Sequence, residues 1–154
     1  MAYRFLEDRS NREQVYNHLV CCNLLFKPAL TERVDLDNYV DKIINHASRF
    51  EAWFGDRLVG LVAVYVNDVS LKTAFITNVS VEREHQGMGI AKKLLLQSIK
   101  KVILLKFEEV QLEVSGENKV ALKVYQELGF KVIDETIKDK IKLALKIKSE
   151  HATS

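Results

Sequence analysis

Hydrophobic positions change their spacing several times along the chain, and each change marks an element. In Asn78-Val79-Ser80-Val81 apolar and polar residues alternate, the two-residue repeat of a strand. Beyond Gly87 and Gly89 the repeat becomes helical, with Ala91, Leu95, Ile99 and Val102 on one face and Lys92, Lys93, Gln97, Lys100 and Lys101 on the other. This strand, glycine turn and long helix (residues 89–105) are the centre of the pattern.

Before them, residues 2–6 suit a short strand. A helix follows with Val15, His18, Leu19, Cys22 and Leu25 on its apolar face and Asp8 or Ser10 as its cap. Pro28, within residues 26–31, interrupts it. Residues 35–47 form a second helix that turns Leu36, Tyr39, Val40, Ile43 and Ile44 inward. Residues 49–54 and 58–67 read as strands around a Gly55-Asp56-Arg57 turn, and 71–81 as the next strand. Later, Val110, Leu112 and Val114 alternate with Gln111 and Glu113 in a strand at 109–115. Asn118 can cap the helix that runs to Leu128, where Gly129 stops it, and residues 130–134 and 141–147 are the closing strands.

Counted in order, this predicts an α+β fold: a mixed, mostly antiparallel sheet of about seven strands with flanking helices. One parallel pair, 71–81 and 109–115, is bridged by the long helix. The 154 residues suit a single domain over 1–154. A net charge of +2 gives no global argument for nucleic acid or membrane binding. The lysines at 138, 140, 142, 146 and 148 follow largely from strand alternation. Residues 1–8 lack the apolar centre of a signal peptide, so a cytoplasmic location is the default expectation. Cys21 and Cys22 are adjacent, which strains any bridge between them, and they read as two neighbouring buried thiols.

Chemistry concentrates at the glycine turn. A helix start carries unpartnered N–H groups and partial positive charge, and glycines there let a phosphate reach the backbone. The run is not a P-loop, and Lys92 stands where a dinucleotide fingerprint wants a small residue. Gln86-x-x-Gly89-x-Ala91 instead resembles the acetyl-CoA loop of the GNAT acetyltransferases. A second segment, residues 112–118 followed by Ala121, Tyr125 and Leu128-Gly129-Phe130, resembles that family's other signature, in the family's order. The element order from 2 to 147 is similar as well.

The resemblance implies the GNAT fold, with the parallel strands splayed around acetyl-CoA and no metal. It implies that the backbone of Val79, Ser80 and Val81 pairs with the pantetheine arm as an added strand. Gln86, Gly87, Met88, Gly89, Ile90 and Ala91 would hold the diphosphate, and Asn118 would bond the cofactor arm. Tyr125 matches the tyrosine that protonates the leaving thiolate, and a phenol stays protonated at neutral pH. Glu113, out of step with Leu112 and Val114, is the leading general base; His85 reads as a surface loop residue.

The acceptor reads as a small molecule bearing a primary amine, an amino sugar among the options. The alternatives are a protein N-terminal or lysine amine, and a regulatory module that binds acetyl-CoA without transfer. Phe26, Tyr39, Tyr65 and Asp68 are the residues expected to line the acceptor wall, and a homodimer is left open.

Overall fold

The structure, a computed structural model, describes residues 2–147. Lys148, one of the lysines named above, lies outside the described residues. The elements run β1 (Tyr3–Glu7), α1 (Arg12–Cys22), α2 (Leu30–Arg33), α3 (Leu36–His46), β2 (Ala47–Phe54), β3 (Arg57–Tyr65), β4 (Thr73–Val81), α4 (Ile90–Leu104), β5 (Glu109–Ser115), α5 (Lys119–Glu127), β6 (Lys131–Asp134) and β7 (Lys140–Lys146). The strands form one seven-stranded sheet in the order β1-β2-β3-β4-β5-β7-β6. All neighbours are antiparallel except β4 and β5.

Each face of the sheet carries its own apolar layer. Ile90, Leu94, Leu95 and Val102 of α4 pack with Val62, Ile76, Leu112 and Tyr125 on one side. Val15 and Leu19 of α1 and Val40 and Ile43 of α3 pack with Leu58, Leu61 and Ala63 on the other. A Cβ at Gly60 would lie 2.9 Å from Ile90 Cγ2, so glycine lets α4 close on β3.

Four local expectations are corrected. The cap of α1 is Asn11, which forms a reciprocal capping box with Gln14. Asp8 and Ser10 are not free for it, because Asp8 Oδ1 accepts from the Arg49 N–H and the Ser10 hydroxyl donates to Glu51. Leu25 leaves the face of α1 for a 3-10 turn at Asn23–Leu25, and the next connection contains the one-turn α2. Cys22 is buried but Cys21 is exposed, since adjacent helical residues cannot share a face. The buried stripe of α4 runs through Ile90, Leu94, Leu95, Ser98 and Val102, leaving Ala91 and Ile99 at its margin.

Candidate active site

Register builds the site. β4 and β5 pair from Thr73↔Glu109 to Ile76↔Leu112 and then part. Beyond that point β4 pairs only with β3, and β5 only with β7. The inner edges of Thr77–Val81 and Glu113–Ser115 therefore face each other across an opening, with main-chain groups free to take an extended ligand. A bulge helps β4 turn away: Ala63 opposes Asn78 and Val64 opposes Ile76, so Thr77 is the extra residue.

The glycine turn closes the wide end. Gly87 has φ +82° and Gly89 φ +77°, a region that favours glycine. An added Cβ at either would meet nothing within 4 Å, so the space outside the loop is open. Gly89 offers no side-chain cap to α4, leaving the first N–H groups of Ile90, Ala91 and Lys92 available. The Gln86 side chain folds back instead, its Nε2 donating to the Val81 carbonyl at 3.1 Å. Lys93 points away from the loop, Nζ 4.0 Å from the Phe5 ring centroid. His85 is half-buried against Tyr3, with Nδ1 2.8 Å from its hydroxyl, and so braces the turn from β1.

Asn118 caps α5, its Oδ1 accepting from the Ala121 N–H at 3.1 Å. Tyr125 is buried in the core layer that holds Ile76 and Leu112, its ring 5.9 Å from that of Phe130. Burial pushes its phenol well above the usual range, so it stays protonated. Val79 and Val81 turn toward this layer.

The opposite face of the opening is polar. Glu113 is exposed there, with Lys140 Nζ 3.7 Å from Oε1. Tyr39 Oη donates to the Thr77 carbonyl at 2.7 Å and lies 3.1 Å from Thr77 Oγ1. Tyr65 Oη is buried without a partner among the described residues. Burial raises both phenols, Tyr65 to about 12, so neither is a base near neutral pH. Phe26 sits at the edge of the α1–α3 layer with Arg33 over its ring. Asp68 lies elsewhere: it accepts from Ser70 in the β3–β4 turn, at the closed end of the strand pair.

Sequence reading named Ser80 for its main chain alone and gave no role to the side chains of Asn78 or Glu82. Asn78, Ser80 and Glu82 are buried, 3%, 6% and 5% exposed, and join His18 of α1 through a line of contacts. Polar residues in one strand and a histidine on an apolar helix face were the only sequence signal, since nothing local says that the two meet.

The sequence fits the Acetyltransferase (GNAT) family over residues 12–130, more than half of the chain. The chain belongs to the GNAT acetyltransferase family. As a GNAT acetyltransferase it takes its acetyl group from acetyl-CoA, and the open strand edges and bare glycine turn suit such a carrier. Solved structures share the fold. An acetyltransferase from Bacillus subtilis in complex with CoA is 22% identical, with TM-score 0.71, over 96% of this chain and 100% of that one. PaiA N-acetyltransferase from Thermoplasma acidophilum in complex with coenzyme A is 17% identical, with TM-score 0.73, over 96% and 100%. A GNAT acetyltransferase from Elizabethkingia anophelis with acetyl-CoA bound is 19% identical, with TM-score 0.71, over 94% and 98%. No curated protein matches the sequence at a significant level. Among the described residues, no group of side chains could hold a metal ion and no helix is long and apolar enough to cross a membrane.

Proposed function

We propose that this acetyltransferase passes the acetyl group directly to the primary amine of a small molecule, an amino sugar being one such acceptor. The observation that carries this reading is the parting of β4 from β5 after Ile76↔Leu112, which leaves two bare strand edges between a buried phenol and a polar face. When bound, acetyl-CoA supplies a thioester carbonyl open to attack by an amine.

The chain's own residues divide the remaining work. Main-chain groups of Val79, Ser80 and Val81 hold the extended arm, and N–H groups from Gln86 to Ala91 receive the diphosphate at the start of α4. Asn118 steadies the arm while capping α5. Tyr125 keeps a proton ready for the leaving sulfur, because burial keeps its phenol neutral. An ammonium must lose a proton before it attacks, and Glu113 is the carboxylate on the side where the amine would approach. Lys140 must release Glu113 for that contact. The carbonyl and hydroxyl oxygens of Thr77, at the bulge, suit the N–H and O–H groups of a compact polar acceptor.

Free-thiol release is to be measured against a panel of small amines, amino sugars and short peptides. Turnover with small amines is expected; turnover with peptides alone would assign a protein amine as acceptor. Acetyl-CoA that raises Tm while no amine is acetylated would mark a binding module. Tyr125→Phe should lower kcat about 100-fold, the range of a general acid, and leave acetyl-CoA affinity nearly unchanged. Equal turnover would remove the acid role. Gly89→Asp should abolish acetyl-CoA binding in a titration, through strain at φ +77° and negative charge beside the diphosphate.

A further inference from the structure

His18 is a titratable residue on the apolar face of α1, 2% exposed, and it stands at one end of a hydrogen-bonded chain. Its Nε2 is 2.8 Å from Ser80 Oγ. Ser80 Oγ donates to Asn78 Oδ1 at 2.7 Å. Asn78 Nδ2 donates to Tyr39 Oη at 3.4 Å, the longest and weakest link. Tyr39 Oη donates to the Thr77 carbonyl at 2.7 Å, at the bulge where β4 leaves β5. On the other side of the imidazole, Nδ1 lies 3.5 Å from Glu82 Oε2, and Glu82 Oε1 accepts from Arg57 Nε at 2.8 Å. Cys22 Sγ is 3.8 Å from Nε2 and completes the surroundings of the ring.

Counting protons gives the chain a direction. Ser80 has one hydroxyl proton and spends it on Asn78, so its oxygen must accept from His18 Nε2–H. The Asn78 amide is then held with oxygen toward Ser80 and nitrogen toward Tyr39. Tyr39 spends its proton on Thr77. Every donor points from α1 toward the opening. Such a chain does not return an amine's proton to His18, because an amide stands in the middle of it. Its effect is orientation: the Tyr39 oxygen accepts from Asn78 and, its own proton spent, from the Thr77 hydroxyl 3.1 Å away, so the phenol is held fast and the Thr77 carbonyl is pinned at the bulge.

We propose that His18 is a positioning residue for acetyl transfer, acting through Ser80, Asn78 and Tyr39 to hold the Thr77 carbonyl at the bulge, where its second lone pair takes an N–H of the acceptor. This rests on amine acetylation as read above. His18 reaches the strand that borders the opening through the Ser80 side chain and need touch neither substrate. Losing it lets Ser80 turn, frees the Asn78 amide to rotate, and lets the Tyr39 hydroxyl swing off the Thr77 carbonyl.

The test is a double-mutant cycle on acetyl transfer, with acetyl-CoA affinity measured separately by titration. His18→Leu is expected to lower kcat about 10-fold and to raise the acceptor KM, with acetyl-CoA affinity within twofold of wild type. Tyr39→Phe is expected to give a loss of similar size, and the double variant no more than Tyr39→Phe alone. His18→Gln, which can place an amide N–H near Ser80, should recover most of the rate. Should His18→Leu not fold, Ser80→Ala takes its place in the cycle. Losses that multiply in the double variant, or unchanged kcat in His18→Leu, would overturn the positioning role. A wild-type enzyme that binds acetyl-CoA but acetylates no amine would instead overturn the reading on which it rests.

Discussion

Two buried carboxylates of this acetyltransferase, Glu51 and Glu82, are 0% and 5% exposed, yet their surroundings differ in kind. Glu51 is enclosed by donors that belong to the scaffold. Its oxygens accept from the main-chain N–H groups of Arg9 and Ser10 at 3.0 Å each, from Trp53 Nε1 at 3.2 Å, and from the Ser10 hydroxyl. Arg49 closes the cluster, with Nε 3.4 Å from Glu51 and one guanidinium nitrogen donating to the Ser10 carbonyl at 2.7 Å. Its one further ion pair among the described residues, Arg49 to Asp8 at 3.9 Å, stays within the same turn. The cluster ties the turn before α1 to β2 and so sets where α1 begins.

Glu82 sits at one end of a line rather than inside a knot. Arg57 holds it on the outer side, where the two help line a surface cavity of about 400 Å³ with Cys21 and Leu24. On the inner side the line continues through His18, Ser80 and Asn78 to Tyr39, at the mouth of the strand opening. A closed knot gives rigidity; an open line can orient a group at its far end. Burial by itself does not tell them apart, whereas the destination of the last hydrogen bond does.

The comparison can be broken experimentally. The largest expected effect is on stability: Glu51→Ala leaves Arg49 buried without its carboxylate and should cost about 3–5 kcal/mol in urea unfolding. Glu51→Gln, which keeps acceptor capacity, should cost less, and whatever folds should bind acetyl-CoA normally. If Glu51→Ala instead stays stable but loses turnover, the division into knot and line is wrong.

A smaller effect concerns pH. Burial would raise the Glu82 carboxyl, but hydrogen bonds and charge from His18 and Arg57 outweigh it and hold it below the ordinary 4.5. A carboxylate depressed on folding adds stability that is fully present above its unfolded value and is lost as pH falls through the folded one. The stability gap between wild type and Glu82→Gln should therefore shrink as pH falls below about 4.5. A gap that widens with acid would reverse the sign of the coupling. The smallest effect belongs to neither cluster: Lys101→Ala breaks the exposed 2.9 Å pair with Glu7 and should change stability by less than about 1 kcal/mol.

Much of the fold was legible because its signals are local. Period-two and helical stripes located the seven strands and the helices of nine or more residues, and Gly129 at φ +103° stops the last helix as expected. The glycine turn was legible too, since few residues other than glycine hold the φ values found at 87 and 89. Ends were less clear where side chains are claimed by distant partners. Ser10 looks like a cap, but Glu51 of β2 takes its hydroxyl, and the cap falls to Asn11.

The sequence by itself determined the family, the order of elements and the position of the glycine turn, because each rests on neighbours in the chain or on a short spaced motif. Only the tertiary structure decided where β4 parts from β5, that Thr77 is the bulged residue, and that His18 meets Ser80 across the α1–sheet interface. Those facts depend on register and on contacts between segments far apart in the chain, and neither is encoded in any local period of hydrophobic and polar residues.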